Sequence, residues 1–177
     1  MLQENHNLWA PWRMAYIRSL APGTQPEESG RCFLCAAAEA TVTPGSDAAR
    51  ERLVLHRDDF GVILLNRFPY TNGHLLIAPL EHIAELSDLT REQRGGLMEL
   101  TDHACRILRA AVNPQGMNVG VNLGRCAGAG LPGHVHVHVV PRWNGDTNFM
   151  AVVGDVRVVP EALDKSYDIL AAAHATL

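Results

Sequence analysis

An α+β fold in a single domain is the expectation for this chain, and three observations carry it. Short strand-like runs follow one another instead of alternating with helices, one long amphipathic helix lies between two groups of them, and 177 residues suffice for one core. The expected architecture is an antiparallel five-stranded sheet with one long central helix and a C-terminal helix. The domain spans 1–177 and includes an N-terminal extension, 1–31.

The elements follow in order. Pro22-Gly23-Thr24-Gln25-Pro26 and Thr43-Pro44-Gly45-Ser46 read as loops that bracket a short segment carrying Cys32 and Cys35. Runs at Leu53 to Leu55, Phe60 to Asn66 and His74 to Ala78 are separated by Asp58-Asp59 and Asn72-Gly73, which predicts a three-stranded meander. Thr90-Arg91-Glu92-Gln93 has capping-box spacing. Beyond it, Leu97, Leu100, Ala104, Ile107, Leu108 and Ala111 recur at helical intervals as far as Asn113-Pro114, with Gly95-Gly96 weakening the first turns. Asn118 to Asn122 and Val135 to Val140 are the last two strands, joined by the glycine-rich stretch from Gly124 to Gly130. Pro160 suits the first turn of a helix with Leu163, Tyr167 and Leu170 on one face.

Composition narrows the function classes. Hydrophobic residues are 47% and charged residues 19%, the profile of a chain that folds. The net charge is −4 and there is no Lys/Arg-rich block, which argues against a nucleic-acid partner. No apolar run approaches the ~20 residues of a bilayer span, and the N-terminus shows no basic and apolar leader pattern, so the expected location is cytoplasmic. In that setting Cys32 and Cys35 read as metal or redox chemistry before a disulfide. Cys105 and Cys126 read as ordinary thiols.

Histidine is the outlier: there are nine, three of them in His134-Val135-His136-Val137-His138-Val139-Val140. Strand side chains alternate faces, so the imidazoles share one face and the valines enter the core. A plain polar face, a metal site and a catalytic face are the three readings. At ~3.3 Å per residue, His134 and His138 stand about 13 Å apart at the backbone, too far to share one metal easily, so the three should divide their roles. Neutral imidazole offers nucleophilic attack, acid catalysis or a hydrogen bond to phosphate. The glycine-rich loop, with Gly128 and Gly130, would let backbone N–H groups surround an anion.

Gly133-His134-Val135-His136-Val137-His138-Val139-Val140-Pro141-Arg142 resembles the signature of the histidine-triad superfamily, His-φ-His-φ-His-φ-φ with φ apolar. Leu65 to Tyr70, Asn72 to Pro79 and Asn118 to Gly124 extend the likeness. Leu8-Trp9-Ala10-Pro11-Trp12-Arg13 and Pro141 to Asp146 are similar to the branch that includes diadenosine tetraphosphate phosphorylases. The resemblance implies nucleotidyl transfer from a nucleotide or dinucleoside polyphosphate, with His136 attacking the α-phosphorus and His138 bonding the same phosphate. It further implies Asn66 at the ribose, Phe33 and Leu34 at the base, Asn122 on the phosphate side, and a homodimer that joins two sheets. Nucleoside phosphoramidase activity and a nucleotide-binding interaction role with little turnover are the alternatives. Hydrolase-type members carry Gln or Ser four residues before the first triad histidine, where this chain has Gly130. With that side chain missing, the expected acceptor is inorganic phosphate, held by loop N–H groups and an arginine such as Arg142.

Cys32-Phe33-Leu34-Cys35 has the gap that lets two thiolates reach one tetrahedral metal, although incidental thiols and a redox motif share that spacing. By the same resemblance, the remaining ligands of a structural zinc are His82 and His134. His74 reads as an orienting hydrogen-bond residue and His103 as a surface or interface residue, while His6, His56 and His174 have no readable role. Trp9, Trp12 and Trp143 read as core or dimer contacts.

Overall fold

The computed structural model describes residues 32–39, 41–146 and 161–177. Trp9, Trp12, the extension 1–31 and Pro160 lie outside the described residues. Five strands, β1 (Val54–Arg57), β2 (Gly61–Leu65), β3 (Leu75–Pro79), β4 (Gly116–Val121) and β5 (Val137–Arg142), form one antiparallel sheet in the order β1-β2-β3-β5-β4. The meander of the first three strands is as expected. Two short helices, α1 (Phe33–Ala37) and α2 (Asp47–Glu51), stand in segments to which the sequence assigned no element. Local capping explains them, since Cys32 Sγ accepts the Cys35 N–H and Ser46 Oγ accepts the Ala49 N–H.

Both faces of the central strands are covered, which is why every residue of β2 and β3 is buried. On one face lies the long helix α3 (Arg91–Val112), whose Leu97, Leu100, Ala104, Ile107 and Leu108 meet Ile63, Leu65, Leu75, Ile77, Val137 and Val139. The C-terminal helix α4 (Leu163–His174) completes this layer with Tyr167 and Leu170, and the Tyr167 hydroxyl donates to the Val54 carbonyl at 3.0 Å. On the other face, α1, Val42 and α2 cover Val54, Val62, Leu64, Leu76 and Ala78.

The boundaries of α3 follow its sequence signals. Thr90 and Gln93 exchange backbone and side-chain hydrogen bonds as a capping box, and Asn113 closes the helix in the left-handed conformation with φ 44°. Helix α4 starts at Leu163 after an N-cap Ala162, later than Pro160 suggested. Strand β5 also starts later than expected. The Val135 N–H is drawn away to the Ile83 carbonyl, so the ladder to β3 opens only at Val137.

The paired glycines of α3 differ in their surroundings. A Cβ on Gly96 would lie 2.2 Å from Phe60 Cγ, whereas a Cβ on Gly95 meets nothing within 4 Å. Gly96 is thus the contact that lets Phe60 lie against the helix, and Gly95 is a helix weakness with no packing role. Gly96→Ala should destabilise by about 1–3 kcal/mol through overpacking, while Gly95→Ala should stabilise by up to about 1 kcal/mol through helix propensity. Urea unfolding of the two variants checks the opposite signs.

Candidate active site and metal centre

The alternation of residues 134–139 survives the late start of β5. Val135, Val137 and Val139 enter the core under α3, and His134 and His136 are buried on the opposite face, with His138 half-buried beyond them. The histidines do not share one centre. His134 turns toward α1, and its Nδ1 lies 3.4 Å from Cys32 Sγ and 3.5 Å from Cys35 Sγ. His82, on the segment after β3, brings Nδ1 to 3.2 Å from Cys35 Sγ. One donor atom from each of Cys32, Cys35, His82 and His134 lies within 4.8 Å of the others.

Those distances suit a tetrahedral metal. With metal–sulfur and metal–nitrogen bonds of about 2.3 and 2.0 Å, an S···N edge measures roughly 3.5 Å. The orientation of His134 suits one too. Its Nε2 lies 3.0 Å from the Pro79 carbonyl, which can only accept, so Nε2 holds the proton and the Nδ1 lone pair faces the thiols. Burial pushes the His134 pKa down to about 4, which keeps the ring neutral as a ligand must be. Two sulfurs and two nitrogens form a closed set, the pattern of a structural site.

The other two histidines belong to a different network. The Tyr70 backbone N–H donates to His74 Nδ1 at 3.1 Å, and an amide can only donate. The proton of His74 therefore sits on Nε2, which lies 2.9 Å from His138 Nδ1 and donates to it. By the same logic His138 carries its proton on Nε2. That atom lies 3.4 Å from Asn122 Nδ2, which is itself a donor, so no hydrogen bond joins the two. In His136 the arrangement is reversed: Nδ1 donates to the His134 carbonyl at 2.8 Å, which leaves the lone pair on Nε2. The rings of His136 and His138 are 4.9 Å apart between centroids. A nitrogen nucleophile and an N–H donor thus stand side by side. Opposite His138 on β4 is Gly120, and a Cβ there would meet nothing within 4 Å, so the space beside the pair is open.

Other expected site residues stand differently. Asn66 is engaged locally, with Oδ1 accepting the Phe68 N–H and Nδ2 lying 3.2 Å from His74 Nδ1, so it braces the relay histidine. Phe33 is 50% exposed, but Leu34 is 0% exposed within the second core cluster and has no surface to offer a base. Three amides of the glycine-rich loop bond within it. Ala127 and Ala129 donate to the Gly124 carbonyl and Gly128 donates to Arg125, so these N–H groups do not line an anion site. Gly128 is needed for its backbone, with φ +94°. Gly130 has open space at its Cβ position, so no steric limit explains the missing side chain. Arg142 is likewise committed, its guanidinium gripping Asp146 at 2.6 and 2.7 Å and donating to Asn118 at 2.9 Å.

Tyr70 is a site residue the sequence left unnoticed. It stacks on His138 at 6.0 Å and 12° and lies 4.6 Å from the His74 ring. Trp143 is half-buried near the end of β5.

With this geometry, the family can be stated. The HIT domain pattern matches residues 48–145, and the chain belongs to the HIT, or histidine triad, family. It is similar to a protein of Mycobacterium tuberculosis named AP-4-A phosphorylase, with 37% identity over 168 residues that cover 95% of this chain and 84% of that one. It is also 29% identical over 93 residues to the asymmetrical bis(5'-nucleosyl)-tetraphosphatase of Schizosaccharomyces pombe, covering 52% of this chain and 50% of that one. Among solved structures, a Zn-bound histidine triad family protein from Mycobacterium smegmatis superposes with a TM-score of 0.63 at 28% identity, covering 82% of this chain and 94% of that one. No helix among the described residues is long and apolar enough to cross a membrane.

The buried relay makes stability depend on pH. Burial, then the neighbouring His138 and His136, lowers the His74 pKa to about 3, and burial, then His136, lowers that of His138 to about 4, from an ordinary 6.5. Below pH 6.5 the unfolded chain takes up protons that the folded chain refuses. Their contribution is therefore fully present above pH 6.5 and is lost as pH falls toward 4 and 3. Each group should weaken the fold by up to about 1.4 kcal/mol per pH unit in that window. In His74→Gln, proton uptake on unfolding at pH 5 should fall by about one; denaturant midpoints measured across pH check it.

Proposed function

We propose that this protein transfers a nucleotidyl group from dinucleoside polyphosphates, with diadenosine tetraphosphate the favoured substrate, through a covalent intermediate on His136. The observation that carries this reading is the opposite protonation of two adjacent rings: His136 has its lone pair on Nε2, and His138 has its proton there. In the first step His136 Nε2 attacks the α-phosphorus; a P–N bond forms and the bond to the bridging oxygen breaks, releasing ATP. The ring keeps its Nδ1 proton, and the His134 carbonyl that accepts it stabilises the positive charge the ring acquires. His138 Nε2–H donates to a non-bridging phosphate oxygen, an acceptor that the facing Asn122 Nδ2, itself a donor, cannot be.

In the second step an acceptor oxygen attacks the same phosphorus and His136 leaves. Inorganic phosphate gives ADP, and water gives AMP. The relative named AP-4-A phosphorylase, together with Gly130 at the position where hydrolase-type members carry Gln or Ser, favours phosphate. The binding groups for that phosphate are His138 and side chains around the open space at Gly120, since Arg142 and the amides of Ala127, Gly128 and Ala129 are engaged elsewhere.

His136→Ala should abolish both turnover and the protein-bound nucleotidyl adduct while the fold persists. His138→Ala should slow turnover by about 10²–10³-fold, the loss typical of one donor to a developing anion, without eliminating the adduct. A phosphate titration followed by chromatography should show accelerating release of ADP plus ATP; AMP plus ATP at an unchanged rate identifies water as the acceptor instead.

The same reading assigns zinc to Cys32, Cys35, His82 and His134. When bound, the ion supplies a cross-link between α1, the segment after β3 and the entry to β5; it takes no part in either chemical step. Removing it from this site with a chelator should lower the melting temperature markedly and the initial rate at low temperature little. Cys35→Ser should reproduce that loss of stability. A homodimer through the edge strand β4, where Val119 is 50% exposed, completes the proposal, and sedimentation reads it directly.

A further inference from the structure

Three histidines with no part in the site above converge at another place. His56 comes from β1, His103 from the middle of α3, and His174 is the last residue of α4. Their ring centroids form a nearly equilateral triangle of 5.0, 5.1 and 5.0 Å, each pair edge to face. One ring nitrogen from each lies within 4.8 Å of the other two. Hydrogen bonding accounts for only one side of the triangle, His103 Nε2 to His174 Nδ1 at 3.2 Å. That separation is close to the roughly 3.3 Å expected between two nitrogens of a tetrahedral zinc.

We infer that His56, His103 and His174 form a second metal site, a three-imidazole site for a divalent transition ion such as Zn²⁺. Imidazole nitrogen suits Zn²⁺, Ni²⁺ and Cu²⁺, and three such ligands leave a position for water. All three rings are half-buried, so the site is shielded yet reachable. The electrostatics favour a cation. The Asp58 carboxylate is 3.9 Å from His56 Nε2, and His174 sits at the C-terminal end of α4, the negative end of the helix dipole. Arg106, a cation whose charge acts on His103, is paired with Asp102 at 3.1 Å. Burial lowers the pKa of His103 and of His174, the direction that favours the neutral ring.

The site ties three segments distant in sequence, 56, 103 and 174, into one. Its expected consequence is that a bound ion clamps α4 onto α3 and β1, a layer distinct from the one that Cys32, Cys35, His82 and His134 fasten.

The test uses the full, untagged chain, stripped with a chelator, dialysed and titrated at pH 7.5. Zn²⁺ should bind at two equivalents, seen by calorimetry and elemental analysis, and His103→Gln/His174→Gln should bind one. Co²⁺ distinguishes the sites, because only the thiolate site gives an intense charge-transfer band, and the double variant should keep that band at full intensity. His56→Gln alone should weaken the second equivalent by more than about tenfold, as loss of even an outer-shell partner does, and it provides the reading if the double variant does not fold. The second equivalent should raise the melting temperature of the unmutated chain and leave that of the double variant unchanged. Turnover of diadenosine tetraphosphate should be the same in both. One equivalent only in the unmutated chain, or two in the double variant, overturns the proposal.

Discussion

The period-two alternation of residues 134–139 is the constraint on which the rest depends. It sends Val135, Val137 and Val139 under α3 and His134, His136 and His138 to the opposite face. Shifting that register by one residue would bury the imidazoles among leucines and expose the valines, removing core and chemistry together. The two faces therefore specify each other. Apolar burial on one side holds the histidines in place on the other, and no separate scaffold is needed.

Spacing along the strand then divides the labour. Adjacent members of the triad are two residues apart, close enough for His136 and His138 to flank one small group, while His134 reaches back toward α1 and the Cys32/Cys35 pair. The Val135 N–H bonded to Ile83 helps this separation, since it holds the strand entry off the ladder just where His134 must turn. The carbonyl of His134 also sets the tautomer of His136, so the residue facing the thiols orients its neighbour through the backbone.

Much of this was legible in the sequence. The capping box of α3, the leucine periodicity behind it and the meander of β1 to β3 rest on local signals, and these agree with the fold. The gathering of Cys32, Cys35, His82 and His134 came from a resemblance, because a two-residue gap between cysteines says nothing about which distant residues join them. What the sequence hid was tertiary. Leu34 lies beside Phe33 in the chain but faces the core, since consecutive helical residues point in different directions. Tyr70 and Asn66 act on His74 through the way the β2–β3 loop folds back, and the amides of Ala127, Gly128 and Ala129 are spent on carbonyls of their own loop. The His56, His103 and His174 triangle draws on three elements with no shared periodicity, and only the packing of α3 and α4 against β1 brings it together.

The chain from the Tyr70 amide through His74 to His138 has a direction, and what fixes it is a peptide N–H, a group that does not titrate. A row of imidazoles in water can carry a proton either way, because each ring can swap which nitrogen holds it. Here the first link is part of the main chain, so neither ring can swap tautomer without breaking a bond to the backbone. The row is therefore rectified: it presents a proton at its far end and cannot take one there while it stays neutral. A ligand that offers only donors finds no partner at that position, so selection between anions and amines is written into the peptide backbone before any side chain of the pocket meets them.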